Sequence, residues 1–124
     1  MGCFTPGKWE YVMTLRQKQS KFARMIAELL REAHARGYEV TLDEFYRPPE
    51  TAALYESQGR GSKNSLHCIK LAADINVFKN GRLLKAKEYE PLGVFWESIG
   101  GSWGGRFKSL PDARHFSLAH GNMR

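Results

Sequence analysis

The chain has little cysteine, no long apolar run and no block of like charge, and each shortage excludes something. Two cysteines in 124 residues, Cys3 and Cys68, are too few for a disulfide scaffold or a cysteine-rich zinc site. Cys68, beside His67, has the chemistry of a ligand or a nucleophile, but a small apolar residue of the interior is the simpler reading. No apolar stretch approaches the ~20 residues of a membrane span, and no charged-then-apolar leader opens the chain. Met1-Gly2-Cys3 begins like a lipidation signal, yet Pro6 stands where N-myristoylation needs Ser or Thr. The expectation is a soluble protein made in the cytoplasm, without membrane insertion.

What is present suits one globular domain over residues 1–124, long enough to close a single hydrophobic core. Nineteen Lys and Arg against thirteen Asp and Glu leave a net charge of +6. That balance favours an anionic partner: nucleic acid, an acidic polymer or a membrane surface. Charge alone does not choose among them. The basic residues are scattered and no nucleic-acid-binding signature is present, so no nucleic-acid partner is expected.

Along the chain, Met1 to Met13 reads as an irregular lead-in, packed through Phe4, Trp9 and Tyr11. Phe22, Met25, Ile26, Leu29, Leu30 and Ala33 recur at helical steps and predict a helix from Leu15 to Arg36. Thr14 serves as its N-cap and Gly37 as its stop. Tyr38 to Tyr46 predicts a strand, ended by Arg47-Pro48-Pro49, and Pro49 opens a short helix through Tyr55. Gln58 to Asn64 is a polar loop. Leu71 to Phe78 predicts a strand with Ala73, Ile75 and Val77 on one face and Ala72, Asp74, Asn76 and Phe78 on the other. Asn80-Gly81 is a hairpin signal. A second amphipathic helix is expected over Tyr89–Ile99, with Leu92, Phe95, Trp96 and Ile99 as its stripe, Pro91 in its first turn and Gly100-Gly101 after it. Trp103-Gly104-Gly105 makes a tight bend, and His115 to Leu118 a last strand. This order makes an α+β domain, a small antiparallel sheet flanked by helices.

Two clusters carry chemistry. His67 precedes the strand that contains Asp74, seven residues on, and Asp112 lies three residues before His115, just after Pro111. A catalytic zinc site needs three protein ligands, an open position for water and often a nearby carboxylate. Two histidines and two aspartates match that count. Taken singly, Asp74 also fits a strand-end ion pair, Asp112 a turn cap and Arg47 a surface ion pair. His34 falls in a helix's last turn, where positive charge is tolerated, and His120 in the polar tail; neither is expected to be a ligand.

Together these motifs resemble the zinc D,D-peptidase and L-alanyl-D-glutamate peptidase superfamily, which includes the hedgehog domain, and most of all its short phage endolysins. The resemblance rests on Ser65-x-His67 followed by Ala72-x-Asp74, on Trp103-Gly104-Gly105, and on Asp112-x-x-His115-Phe116. Tyr46-Arg47, Leu54-Tyr55 and Gly59-Arg60 are similar to that family's approach segment. It spans about seventy residues, Arg47 to Phe116. This chain departs from the pattern at Lys70, where the family usually has glycine, and at Phe107, where an aromatic, often Trp, follows.

The resemblance implies His67, Asp74 and His115 as Zn2+ ligands, Asp112 as general base and Arg47 as a substrate or oxyanion contact. Ser65 would line the substrate site; Trp103 is placed there too, although an aromatic at that point fits the core as well. The implied activity is cleavage of the L-alanyl-D-glutamate bond of peptidoglycan stem peptides by a monomeric phage or prophage endolysin. It would be made in the host cytoplasm and act on the cell wall, from the periplasm, after a partner opens the inner membrane. The basic charge would favour adsorption to an anionic wall. Three other functions compete: a D-alanyl-D-alanine carboxypeptidase or dipeptidase, whose members more often have Glu where Asp112 stands; a non-catalytic zinc-bearing binding module; and a metal-free basic nucleic-acid-binding protein.

Overall fold

A computed structural model describes residues 12–124; the expected packing of Phe4, Trp9 and Tyr11 lies outside them. The first helix, α1, runs Leu15–Ala35 and starts with a capping box, in which Thr14 accepts the Gln17 N–H and the Gln17 side chain accepts the Thr14 N–H. Such a cap stabilises by about 1 kcal/mol. Burial of Phe22, Met25, Ile26 and Leu29 along one stripe contributes about 1.5–3 kcal/mol for each side chain. Packing therefore holds α1, and the cap sets where it begins.

The remaining elements are β1 (Glu39–Leu42), α2 (Pro49–Ser57), β2 (Ala72–Lys79), β3 (Arg82–Leu83), α3 (Glu90–Ser98), β4 (Ser102–Trp103) and β5 (His115–Ser117). Three short 3-10 turns, Leu66–Ile69, Ala86–Tyr89 and Gly104–Arg106, join them. The sheet is antiparallel in the order β1-β2-β5-β4, with β3 hairpinned onto β2. The expected α+β architecture is found. None of the described helices is long and apolar enough to cross a membrane.

Strand β2 lies inside the sheet; Ala72 to Ile75 are all buried, and burial alternates only beyond them. Ala73, Ile75 and Val77 are fully buried in the core with α1, Trp96 and Phe116. The rings of Phe22, Trp96 and Phe116 meet edge to face at 5.8 Å between centroids, a favourable aromatic geometry. The opposite side of β2 carries Asp74.

Several local features differ from expectation. The strand predicted over Tyr38–Tyr46 stops at Leu42, because Asp43 and Glu44 both oppose the single residue Asp74. Asp43 N–H donates to the Asp74 carbonyl oxygen (3.0 Å), and Asp74 N–H donates to that of Glu44 (2.8 Å). Two residues against one form a bulge, which ends regular pairing and re-aims the chain beyond it. The short turn Leu66–Ile69 was not expected, and Trp103 belongs to a strand, β4, instead of the tight bend.

Candidate active site

The first predicted ligand sits in the turn Leu66–Ile69, between the loop after α2 and β2. Ser65 caps this turn, its hydroxyl accepting the His67 N–H at 3.1 Å. Lys70 closes it in a left-handed conformation, φ 60° and ψ 38°, which costs an L-residue about 1–2 kcal/mol and a glycine almost nothing. Lys70 thus holds a backbone shape that glycine adopts freely, at an energetic cost to the turn that carries His67. His67 is buried, and its Nδ1 lies 3.0 Å from the Phe45 carbonyl oxygen. With the proton on Nδ1 donated there, Nε2 keeps its lone pair for the site, an arrangement typical of metal-binding histidines.

The second and third predicted ligands are brought together by strand register. Asp74 on β2 pairs directly with His115 on β5, so both side chains emerge on the same face, away from the Ala73–Phe116 pair. His67 Nε2 and His115 Nδ1 each lie 3.4 Å from Asp74 Oδ1. That oxygen is buried with no hydrogen-bond partner, an expensive state unless something else satisfies it. Ligands on a tetrahedral zinc, with bonds of roughly 2.0–2.1 Å, stand about 3.3–3.4 Å apart. One donor atom from each of the three residues lies within 4.8 Å of the others, and a two-nitrogen, one-oxygen donor set suits zinc. The residues fit the metal.

Burial by itself pushes the Asp74 carboxyl pKa up. The two imidazoles beside it more than offset this and hold it well below the usual carboxylate range. Asp74 is therefore ionised, as a ligand must be.

Gly104 allows β5 to approach. A Cβ there would come within 2.3 Å of the Asp112 carbonyl oxygen and 2.7 Å of His115 Cβ. Asp112 N–H donates to the Gly104 carbonyl oxygen (2.9 Å), and Asp112 Oδ1 accepts the Arg114 N–H (3.1 Å). Asp112 does cap a turn, and the cap engages one of its two oxygens. It also lines the triad's cleft.

That cleft, of about 390 Å³, is lined by Arg47, Arg60, Ser65, His67, Asp74, Phe107, Asp112 and His115 among others. Phe107 lies 5.3 Å, ring to ring, from His115. Arg47 is anchored at both ends: its N–H donates to the His67 carbonyl oxygen (3.2 Å), and its Nε and Nη2 donate to Glu44 Oε1. Burial lowers its pKa, but the bond and charge of Glu44, with Asp74 beyond, raise it overall, so it is a permanent cation.

Trp103 does not line this cleft, which corrects its placement in the substrate site. It is 4% exposed, with its indole N–H donated to the Ala113 carbonyl oxygen at 2.8 Å. Its ring occupies space that a Cβ on Gly93 or Gly105 would enter at 2.2–2.3 Å. Trp103 is core, and the glycines around it make room. Cys68 is half-buried and outside the triad. His34 is exposed, and His120 Nδ1 lies 3.1 Å from Lys18 Nζ, both apart from the site. Glu44 and the Phe45 carbonyl, which position Arg47 and His67, escaped the sequence reading: a backbone acceptor has no residue signature, and Glu44 looks like any exposed strand carboxylate.

A buried imidazole–carboxylate–imidazole cluster under a cleft that holds a further carboxylate suits a metal-dependent hydrolase. A family model described as D-alanyl-D-alanine carboxypeptidase matches residues 58–118. Among solved structures, the L-Ala D-Glu endopeptidase ChiX of Serratia marcescens superimposes with a TM-score of 0.69 at 22% identity, over 85% of this chain and 83% of that one; at this identity the likeness concerns the fold. No curated protein sequence matches. The match over residues 58–118 and the shared fold support a peptidase of the superfamily of D,D-peptidases and L-alanyl-D-glutamate peptidases.

Proposed function

We propose that the protein is a zinc endopeptidase that hydrolyses the L-alanyl-D-glutamate bond of peptidoglycan stem peptides, in the service of phage or prophage lysis. The observation that carries this is the convergence of His67 Nε2, His115 Nδ1 and Asp74 Oδ1 beneath a cleft that also holds Asp112 and three arginines. His67, Asp74 and His115 hold the metal. A zinc ion bound there would polarise the scissile carbonyl and lower the pKa of water to about 7. Asp112 takes the proton of the attacking water and returns it to the leaving amine, a role that contributes typically 10²–10⁴-fold. Arg47, tied to Glu44, supplies a fixed positive charge for the developing oxyanion. Ser65 lines the substrate site and also caps the ligand turn. The enzyme works as a monomer on the wall once a partner has opened the inner membrane.

The matched family's description supports a second reading, removal of terminal D-alanine. One digest separates the two. Purified peptidoglycan is incubated with zinc-loaded protein and the products are read by mass spectrometry, with chelated and Asp112→Ala samples alongside. New L-alanine C-termini and D-glutamate N-termini, absent from both controls, are expected. Release of D-alanine would replace the endopeptidase with the carboxypeptidase; no cleavage despite one bound zinc would leave a binding module.

A further inference from the structure

Of the three arginines that line the cleft, Arg47, Arg60 and Arg124, the first two share one aromatic ring but differ in how their charge is used. Both approach Tyr55, on α2, with the Arg47 and Arg60 guanidinium carbons 5.0 and 4.3 Å from its ring centroid. Arg47 is already paired with Glu44, and its side chain is only 12% exposed. Arg60 is exposed, and among the described residues its guanidinium bonds only to the neutral Gln58 Oε1, at 2.9 Å.

The backbone beneath Arg60 is fixed. Helix α2 ends in a Schellman motif, with Gly59 N–H donating to the Glu56 carbonyl oxygen (3.0 Å) and Arg60 N–H to that of Tyr55 (2.8 Å). Gly59 takes the left-handed conformation this requires, φ 70°. The motif returns the chain over its own last turn and sets the Arg60 guanidinium on the Tyr55 face. A guanidinium stacked on an aromatic loses little freedom and keeps its N–H fork available to a carboxylate.

The geometry points to Arg60, and not Arg47, as the residue that receives the substrate's free carboxylate, an assignment that rests on the endopeptidase function proposed above. In a γ-linked D-glutamyl residue that group is the α-carboxylate, adjacent to the bond to be cut. Arg47 then positions and polarises, while Arg60 makes the enzyme select acidic stem peptides over those amidated at glutamate.

The test uses the full chain loaded with zinc and two synthetic L-alanyl-γ-D-glutamyl peptides, one with the α-carboxylate free and one with it converted to the carboxamide. Wild-type protein is expected to prefer the carboxylate roughly 10- to 100-fold in kcat/KM. Arg60→Gln should abolish that preference by lowering turnover of the carboxylate peptide alone, and Arg60→Lys should restore part of it. Equal use of both peptides by the wild type, or an equal loss on both in Arg60→Gln, would overturn the assignment. If the wild type cleaves neither peptide, the proposed function fails, and calorimetric titration of the same pair decides Arg60. A tenfold carboxylate preference in binding, lost in Arg60→Gln, upholds it; equal binding, or none, removes it.

Discussion

The imidazole of His67 is steered by the backbone of Phe45, whose carbonyl oxygen lies 3.0 Å from Nδ1. The bond commits Nε2 to the site before any metal arrives, so metal binding should stabilise the folded protein without rearranging it. At a hundredfold excess over Kd a ligand contributes about 2.7 kcal/mol, a rise in Tm of several degrees for a chain of this size. Chelation should remove that increment and added zinc restore it. In His67→Gln both the bound zinc and the thermal shift should disappear; a full equivalent of zinc retained in that variant would take His67 out of the ligand set.

Asp74 should shape the acid limb of stability in the metal-free protein. Its folded-state pKa lies below the ordinary 3.8, so the unfolded chain takes up its proton first as pH falls. The stability it contributes is complete above pH ~4 and is lost as pH drops through the lowered folded value. Chemical denaturation across this range should show a steeper acid decline in the wild type than in Asp74→Asn. Parallel curves would mean that Asp74 carries no such linkage.

Asp112→Asn separates the turn cap from the chemistry. The amide keeps an oxygen for the Arg114 N–H, so Tm and zinc content should stay close to wild type. It cannot accept a proton, and kcat should fall 10²- to 10⁴-fold. Activity within a factor of a few of wild type would exclude Asp112 as the base.

Gly104→Ala should damage the site through the backbone. Its Cβ would overlap the Asp112 carbonyl oxygen and crowd His115, forcing β5 away from the turn at a cost of about 1–3 kcal/mol. Loss of zinc affinity should accompany the lower Tm. A variant that melts early yet binds zinc normally would show that the strain is absorbed elsewhere.

Lys70→Gly is expected to stabilise. Lys70 is strained by its positive φ, and glycine would relieve that while giving up some chain entropy, a net gain of about 0.5–1 kcal/mol. Lys70→Val should move Tm the other way. The reverse order would indicate that the Lys70 contact with the Tyr46 ring (5.6 Å) outweighs the backbone strain.

Elements with a strong period were legible in the sequence. Helix α1 reads from its stripe and cap, and β2 from its alternation and from Asn80-Gly81, whose φ values of 53° and 76° suit a tight hairpin. The convergence of His67, Asp74 and His115 follows from the motifs and is realised by one cross-strand register. Less legible were features with no period. The turn Leu66–Ile69 is too short to show one, and the bulge at Asp43 and Glu44 leaves a strand-like pattern on residues that no longer pair regularly. Trp103 was misplaced because its residue type suits a cleft wall and a core equally. Only the glycines packed around it, Gly93 and Gly105, tell them apart, and a glycine does not announce which ring it accommodates.

The bulge at Asp43 and Glu44 bears on how such an enzyme can be recombined. It feeds the Phe45 carbonyl to His67, the Glu44 carboxylate to Arg47 and the Glu44 carbonyl to Asp74, although it precedes the matched family segment, 58–118. A chimaera joined at residue 58 would inherit every proposed metal ligand and the base while exchanging the struts that aim them. Productive crossovers should therefore fall upstream of β1, and the heritable unit of this chemistry is longer than its signature.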